Sequence, residues 1–155
     1  MSLNKSPKWQ IDAMTILSEF NYKTGIPVRI ADIDAFGHVN NAVYLTYFEI
    51  ARSKYWNEVV KWDWDSMGII IGKAEINYLK PINLNDQVFA YVKTSRIGKS
   101  SFDLKYVLVT MENGIEEICT TGLTVCVSYN YELNQPAPIP ESHKVKMIEF
   151  EAISV

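Results

Sequence analysis

The segment Asn41–Trp62 constrains this chain more than any other. At about 100° per residue, Leu45, Phe48, Ala51, Tyr55, Trp56, Val59 and Trp62 fall in one arc of roughly 140°. Thr46, Glu49, Ser53, Lys54, Asn57, Glu58 and Lys61 fall outside it. The pattern predicts a helix of about six turns. A helix with so broad an apolar face needs a large apolar surface to lie on. Arg52 projects inside the arc, where a guanidinium needs an acceptor, and Glu49, one turn earlier, is the nearest.

The surface for that helix is written downstream. Gly68–Lys80, Gln87–Ile97, Ser101–Met111 and Ile115–Tyr129 all read as strands. Val88, Ala90 and Val92 share one parity, as do Phe102, Leu104, Tyr106 and Leu108. In the first strand the shared parity is Ile70, Ala74, Ile76 and Tyr78; in the last it is Ile115, Cys119, Leu123, Val125, Val127 and Tyr129. The connections Asn83–Asp86, Gly98–Lys99 and Asn113-Gly114 are short, and the last suits a two-residue type I′ hairpin. Short turns predict a meander of antiparallel neighbours. Upstream, Lys8–Phe20 predicts a short helix after Pro7, and Thr24–Ala31 a strand in which Ile26, Val28 and Ile30 alternate with Pro27 and Arg29. Gln135–Pro140 is Pro-rich and irregular, and His143–Phe150 suits a final short element, with His143 expected at the surface. One long helix on one antiparallel sheet defines an α+β two-layer sandwich.

With 155 residues the chain fits one domain, 1–155, in which 1–22 forms an N-terminal extension and 132–155 a C-terminal tail. Fifteen basic and 18 acidic side chains give a net charge of −3, which argues against a basic nucleic-acid footprint. No apolar run approaches the ~20 residues of a membrane span. Met1–Gln10 holds no apolar core of a secretory signal, and Met1-Ser2-Leu3 suits a cloning remnant. Cys119 and Cys126 are seven residues apart on one strand, hence on opposite faces, and are expected as free thiols in a reducing cytoplasm.

Chemistry concentrates in Asp32-Ile33-Asp34-Ala35-Phe36-Gly37-His38-Val39-Asn40-Asn41, between the first strand and the long helix. Gly37 permits close approach of backbone to a ligand. The first helical turn offers free N–H groups and the positive end of the dipole, where an oxyanion could be held. Asp34 and His38 supply a carboxylate and an imidazole, which activate water or attack a carbonyl. Asp and Asn before a helix also serve as ordinary caps and turn formers. No Walker A, dinucleotide-binding glycine pattern or G-x-S-x-G elbow is present.

Asp-x-Asp-x-x-Gly-His-Val-Asn-Asn, followed by Tyr44-Leu45-x-x-Phe48-Glu49-x-Ala51-Arg52, resembles the hotdog-fold acyl-CoA thioesterases of the 4-hydroxybenzoyl-CoA thioesterase type. The resemblance covers roughly Lys23 to Tyr131 and is specific only at the strand-to-helix segment. It implies a hotdog fold, with the long central helix packed on a five-stranded antiparallel sheet. It also implies hydrolysis of an acyl thioester to an acid and free thiol, without metal or other cofactor. Asp34 matches the family's catalytic carboxylate, as nucleophile or as general base. His38 matches a histidine that orients water or the carboxylate, or only makes structural hydrogen bonds. Asn41 falls where its backbone N–H reaches the oxyanion. Gly37 matches the motif glycine. Tyr44, Tyr47 and Phe48 suit an aromatic-lined tunnel for the acyl group, or are core residues. Arg96, Lys99 and Ser100, around the Gly98–Ser101 turn, are candidates for coenzyme A phosphates, or are solvated hairpin residues. Plant acyl-ACP thioesterases share the His-Val-Asn-Asn segment, but carry an Asn where this chain has Phe36. Some hotdog thioesterases place a catalytic Glu on the helix; Glu49 is expected instead to pair with Arg52. The substrate is thus acyl-CoA or an acyl carrier protein thioester. Hydratase or dehydratase activity, or acyl-thioester binding without catalysis, are the alternatives. Hotdog sheets join edge to edge, so a homodimer, or a homotetramer of such dimers, is expected, with the site between two chains.

Overall fold

A computed structural model describes residues 8–154, with side chains from residue 12 onward. Helix α1 is Lys8–Leu17, strand β1 Tyr22–Ile26 and helix α2 Val43–Tyr55. Strands β2 Gly68–Tyr78, β3 Gln87–Ile97, β4 Ser101–Glu112, β5 Ile115–Asn130 and β6 Gln135–Pro136 follow, and helix α3, Glu141–Glu151, ends the fold. The side chains of Trp9 and Ile11, part of the pattern that predicted α1, lie outside those described.

All strand pairs are antiparallel, in the order β1-β3-β4-β5-β2, with β6 on β5. The β3–β4–β5 meander is as expected; Asn113 and Gly114 both take positive φ at its last turn. The β2–β3 connection is not a hairpin. β2 pairs with β5 at one edge, and the chain crosses to β3 on the far side of β4. On the way Ile82 is fully buried and its carbonyl accepts the Val39 N–H at 2.9 Å. The first strand is also shorter than predicted. Pro27 has no N–H to give a ladder, and after Ile26 the chain turns into a 3-10 turn at Ile30–Asp32, leaving Ile30 81% exposed.

Helix α2 buries Tyr44, Tyr47, Phe48, Ala51 and Tyr55 against the inner sheet face, formed by Val88, Ala90, Val92, Phe102, Leu104 and Tyr106 among others. This face is turned from the predicted arc: Leu45 is exposed, whereas Tyr44 and Tyr47 are buried. Tyrosine is amphipathic, and its burial depends on whether the hydroxyl finds a partner. At Trp56–Val60 the helix widens into a π turn, and Lys61, with φ of 52°, stops it. Arg52 is nearly buried, 3.7 Å from Glu49 and 5.8 Å from the centre of the Trp56 ring.

Three bulges reset the strand parities. Each adds one residue: Gly72 in β2, Ser95 in β3 and Cys119 in β5. In β2 the core-facing isoleucines become Ile69, Ile71 and Ile76 rather than Ile70. In β5 the inner face carries Thr120, Thr124, Cys126 and Ser128, while Leu123, Val125 and Val127 are only half-buried. Cys119 and Cys126 therefore both reach the core as free thiols, not opposite faces.

Helix α3 closes the end of α2. The Glu151 Oε1 accepts the Tyr55 hydroxyl at 2.7 Å and the Thr94 N–H, beside the Ser95 bulge, at 3.0 Å. His143 is 2% exposed, not a surface residue. Its ring stacks on Trp62 at 4.3 Å, and its Nε2 accepts the Asp63 N–H. Helical spacing brings His143 and Met147 to one face of α3, a signal the low apolar content of that segment hides.

Gly122 sets how closely α2 lies on the sheet. A Cβ there would meet Phe48 Cε2 at 2.3 Å and the Glu75 carbonyl at 3.0 Å. Phe48 cannot yield, because it stacks on Tyr106 at 4.4 Å. Gly122→Ala is expected to lower stability by about 1–3 kcal/mol, read from urea unfolding; a variant as stable as the parent refutes this account of the contact.

Candidate functional site

The loop between β1 and α2 is built around Asp32. Its side chain is 1% exposed. Its Oδ1 accepts Arg29 Nε at 3.0 Å and Nη2 at 2.7 Å; its Oδ2 accepts the Arg29 N–H at 2.9 Å and the Tyr47 hydroxyl at 2.8 Å. Burial alone would raise its pKa, but the Arg29 and Tyr47 hydrogen bonds outweigh that and hold it below the usual carboxylate range. Burial and the Asp32 carboxylate together push the Tyr47 hydroxyl up, so it stays a donor. The first Asp of the Asp-x-Asp pair is thus structural.

From that anchor the chain makes a small hairpin. Ile33 bridges Val39, the Asp34 N–H donates to the His38 carbonyl at 2.9 Å, and the Gly37 N–H donates to the Asp34 carbonyl at 3.0 Å. Gly37 has φ of +83°, a conformation other residues adopt only with strain. The Asp34 Oδ1 accepts the Phe36 N–H at 2.9 Å, which fixes the carboxylate and leaves its Oδ2 without a hydrogen bond from the described residues. Asn40 then turns the chain toward the helix: its Oδ1 accepts the Ala42 N–H at 2.9 Å and its carbonyl the Val43 N–H. The Asn41 carbonyl accepts the Tyr78 hydroxyl at 2.8 Å, and the Asn41 N–H has no partner among the described residues.

These groups surround one cavity of about 420 Å³. Asp34, His38, Asn41 and Tyr44 line it, with Phe36 on one side and the Tyr78–Pro81 segment on the other. Tyr44 is 3% exposed, and Tyr78 packs edge-on against it at 5.0 Å. Burial raises the Tyr44 hydroxyl pKa. His38 is exposed, and Phe36 is 87% exposed. The structure thus brings together Asp34, Gly37, His38, Asn41 and Tyr44. Sequence reasoning missed Tyr78 and Lys80, which come from the far edge of the sheet and have no motif of their own.

Arg96, Lys99 and Ser100 are not in this cavity. They lie at the β3–β4 turn, at the opposite end of β3 from Ile82 and roughly 30 Å of strand away. Arg96 is engaged by Asp103, at 2.6 and 2.8 Å, and by Ser101 Oγ at 3.1 Å. Lys99 is exposed, and its carbonyl accepts the Ile139 N–H. The Ser100 carbonyl accepts the Ser128 N–H. Glu49 is exposed beside Arg52 and points to no part of the cavity lining.

A long helix held in a curled antiparallel sheet, with a polar turn at the helix start, defines a hotdog protein. Residues 28–147 match the model of the Thioesterase-like superfamily. A thioesterase of Thermus thermophilus, solved in complex with coenzyme A and zinc, is 34% identical, with a TM-score of 0.76 over 88% of this chain and 98% of that one. Over 132 residues the chain is 26% identical to the uncharacterized protein YsmA of Bacillus subtilis, covering 84% of this chain and 88% of that one. Over 141 residues it is 24% identical to a chloroplastic acyl-acyl carrier protein thioesterase of Arabidopsis thaliana, covering 86% and 70%. The chain belongs to the thioesterase-like superfamily and is a thioester hydrolase of the hotdog fold. No helix of the described residues is long and apolar enough to cross a membrane.

Asp32→Asn keeps the shape and removes the charge that four donors address. It is expected to lower stability at pH 7 by about 1.5–3 kcal/mol. Because the folded pKa is depressed, the parent's advantage is complete above the unfolded value of about 3.9 and disappears as pH falls through the folded value. Urea titrations of both proteins from pH 7 downward check this; equal stability at pH 7 would count against the anchor.

Proposed function

We propose that the protein hydrolyses acyl-CoA thioesters, with Asp34 as the group that activates the attack. The observation that carries this reading is the free Oδ2 of a carboxylate fixed by the Phe36 N–H, in the same cavity as the unpartnered N–H of Asn41. Water, deprotonated by Asp34, adds to the thioester carbonyl carbon. The carbonyl oxygen becomes an oxyanion and accepts the Asn41 N–H at the positive end of α2. Collapse breaks the C–S bond, and the leaving thiolate takes up the proton. In the alternative route the same Oδ2 adds to the carbonyl carbon, the C–S bond breaks with departure of the thiolate to leave a mixed anhydride, and water opens the anhydride to the acid and the Asp34 carboxylate, its proton passing to the thiolate. Tyr78 holds the Asn41 peptide in place, and His38 stands at the exposed mouth to orient water.

Coenzyme A as carrier is supported by the coenzyme A in the Thermus structure. The likeness to the Arabidopsis enzyme favours acyl carrier protein as a second reading. Thiol release from the same acyl group on each carrier decides between them. Buried free thiols are in keeping with a reducing cytoplasm.

A dimer completes the site. β2 has a neighbour on one side only, and an unpaired edge of eleven residues invites a strand. Antiparallel pairing of two β2 edges about a two-fold axis sets the Gly68 end of one copy beside the Tyr78 end of the other. Ser101 and Ile70 both sit across from Val127, so the β3–β4 turn travels with the Gly68 end. The Arg96, Lys99 and Ser100 turn of the second copy is thereby carried toward the Asp34 cavity, where coenzyme A phosphates need cations.

Asp34→Asn is expected to lower kcat for thiol release by at least about 100-fold with an unchanged circular dichroism spectrum; full turnover by this variant defeats the assignment. Sedimentation of the active protein is expected to give twice the chain mass or a multiple of it. A monomer that hydrolyses acyl-CoA defeats the two-chain site.

A further inference from the structure

Helix α1 lies on the sheet face opposite α2. It packs through Leu17 and the following Phe20 onto Val107, Val109, Phe89 and Tyr91. From Asp12 onward the described side chains of the helix leave gaps against the sheet. Two hollows run beneath the helix. One, of about 330 Å³, is walled by Ala13, Ile16, Leu79 and Ile118. The next, of about 280 Å³, is walled by Ile16, Phe20, Val107 and Leu123. Ile16 and Thr121 border both, so the hollows are adjacent.

The first hollow also borders the Asp34 cavity. Leu79 and Lys80 line both. They follow β2 with both N–H groups on the Cys119 carbonyl. Leu79 is 57% exposed on this shared border. The groove under α1 therefore begins where the Asp34 cavity ends, at Leu79.

We propose that this groove holds the acyl chain of the thioester, which makes the protein selective for long unbranched acyl groups. The proposal rests on the hydrolase reading of the Asp34 cavity. The charges around the groove choose between the two ends of the substrate. Asp12, Glu19, Glu75 and Glu117 line it with Lys80 and Lys105; Lys80 pairs with Glu117 and Glu75 with Lys73, which leaves Asp12 and Glu19 against Lys105. That small acidic excess disfavours the phosphates of a coenzyme or a carrier prosthetic group. A neutral alkyl chain meets no such penalty, and it covers Leu79 and Ile16, which are otherwise 57% and 42% exposed.

Ile16 is the position to test, because it lies between the two hollows and takes no part in the chemistry. Thiol release is measured with butyryl-, octanoyl-, dodecanoyl- and palmitoyl-CoA, each below its micelle concentration. In the parent protein kcat/KM is expected to rise with chain length, by up to about fourfold per buried methylene, until the groove is full. Ile16→Trp fills the junction and is expected to lower kcat/KM for dodecanoyl- and palmitoyl-CoA by about tenfold or more, an effect of a few methylenes, with butyryl-CoA unchanged. Ile16→Ala should favour the longest chain. A flat chain-length profile in an active parent overturns the proposal, as does an Ile16→Trp variant that slows all chains alike. A change in sedimentation on Ile16→Trp without a change in chain preference makes the groove a protein contact and also overturns it. Calorimetry of the Asp34→Asn variant with butyryl- and dodecanoyl-CoA separates the two readings. Tighter dodecanoyl binding that Ile16→Trp abolishes supports the groove even where no thioester is hydrolysed.

Discussion

A buried carboxylate needs its charge answered, and in this protein the answer organises the site. Asp32 gathers Arg29 before the 3-10 turn and Tyr47 one helical turn into α2, and its own carbonyl accepts the Asn40 N–H at 2.8 Å. Three stretches of chain are thereby held to one point. The Asp34–His38 hairpin hangs between two of them, which ties its carboxylate to the Asn41 N–H just ahead of α2. Removing one partner of such a cluster leaves the others desolvated and unpaired, which is why the loop behaves as part of the core although most of its residues are exposed.

The sheet supplies the second requirement, a concave apolar bed. Phe48 lies against the bare backbone of Gly122 and the Tyr106 ring, and α2 sinks into the curl of β3, β4 and β5. The crossover from β2 to β3 then passes under the start of α2, where Ile82 takes the Val39 N–H. This connection places Tyr78 and Lys80, residues of the sheet edge, at the cavity. Topology, more than local sequence, assembles the site from both flanks.

How much of this was legible in the residues follows from which forces are local. β3, β4 and β5 were readable because alternation and turn chemistry act over neighbouring residues. The turn at Asp34–His38 was readable as a turn before the helix because Gly, Asp and Asn favour turns and caps. The bulges at Gly72, Ser95 and Cys119 were not, since each is fixed by pairing with a distant strand. One extra residue at Cys119 was enough to turn both thiols inward and set Leu123, Val125 and Val127 on the outer face. His143 was misread because the partners that make its burial tolerable, Trp62 and the Asp63 N–H, lie eighty residues away. Which Asp of Asp-x-Asp is buried was equally hidden: it rests on Arg29 and Tyr47 reaching Asp32 and not Asp34.

The inward turn of the cysteines has a practical side. Cys119 and Cys126 are 1% and 0% exposed, and burial pushes the Cys126 thiol up to about 12. Both sulfurs are shut away from solvent, so the folded chain offers neither to an electrophile. A colorimetric thiol reagent added during turnover would stay blind to the protein and report the freed carrier alone. A slow second signal of up to two equivalents per chain would mark molecules that have come open, so one cuvette records both catalysis and the lifetime of the catalyst.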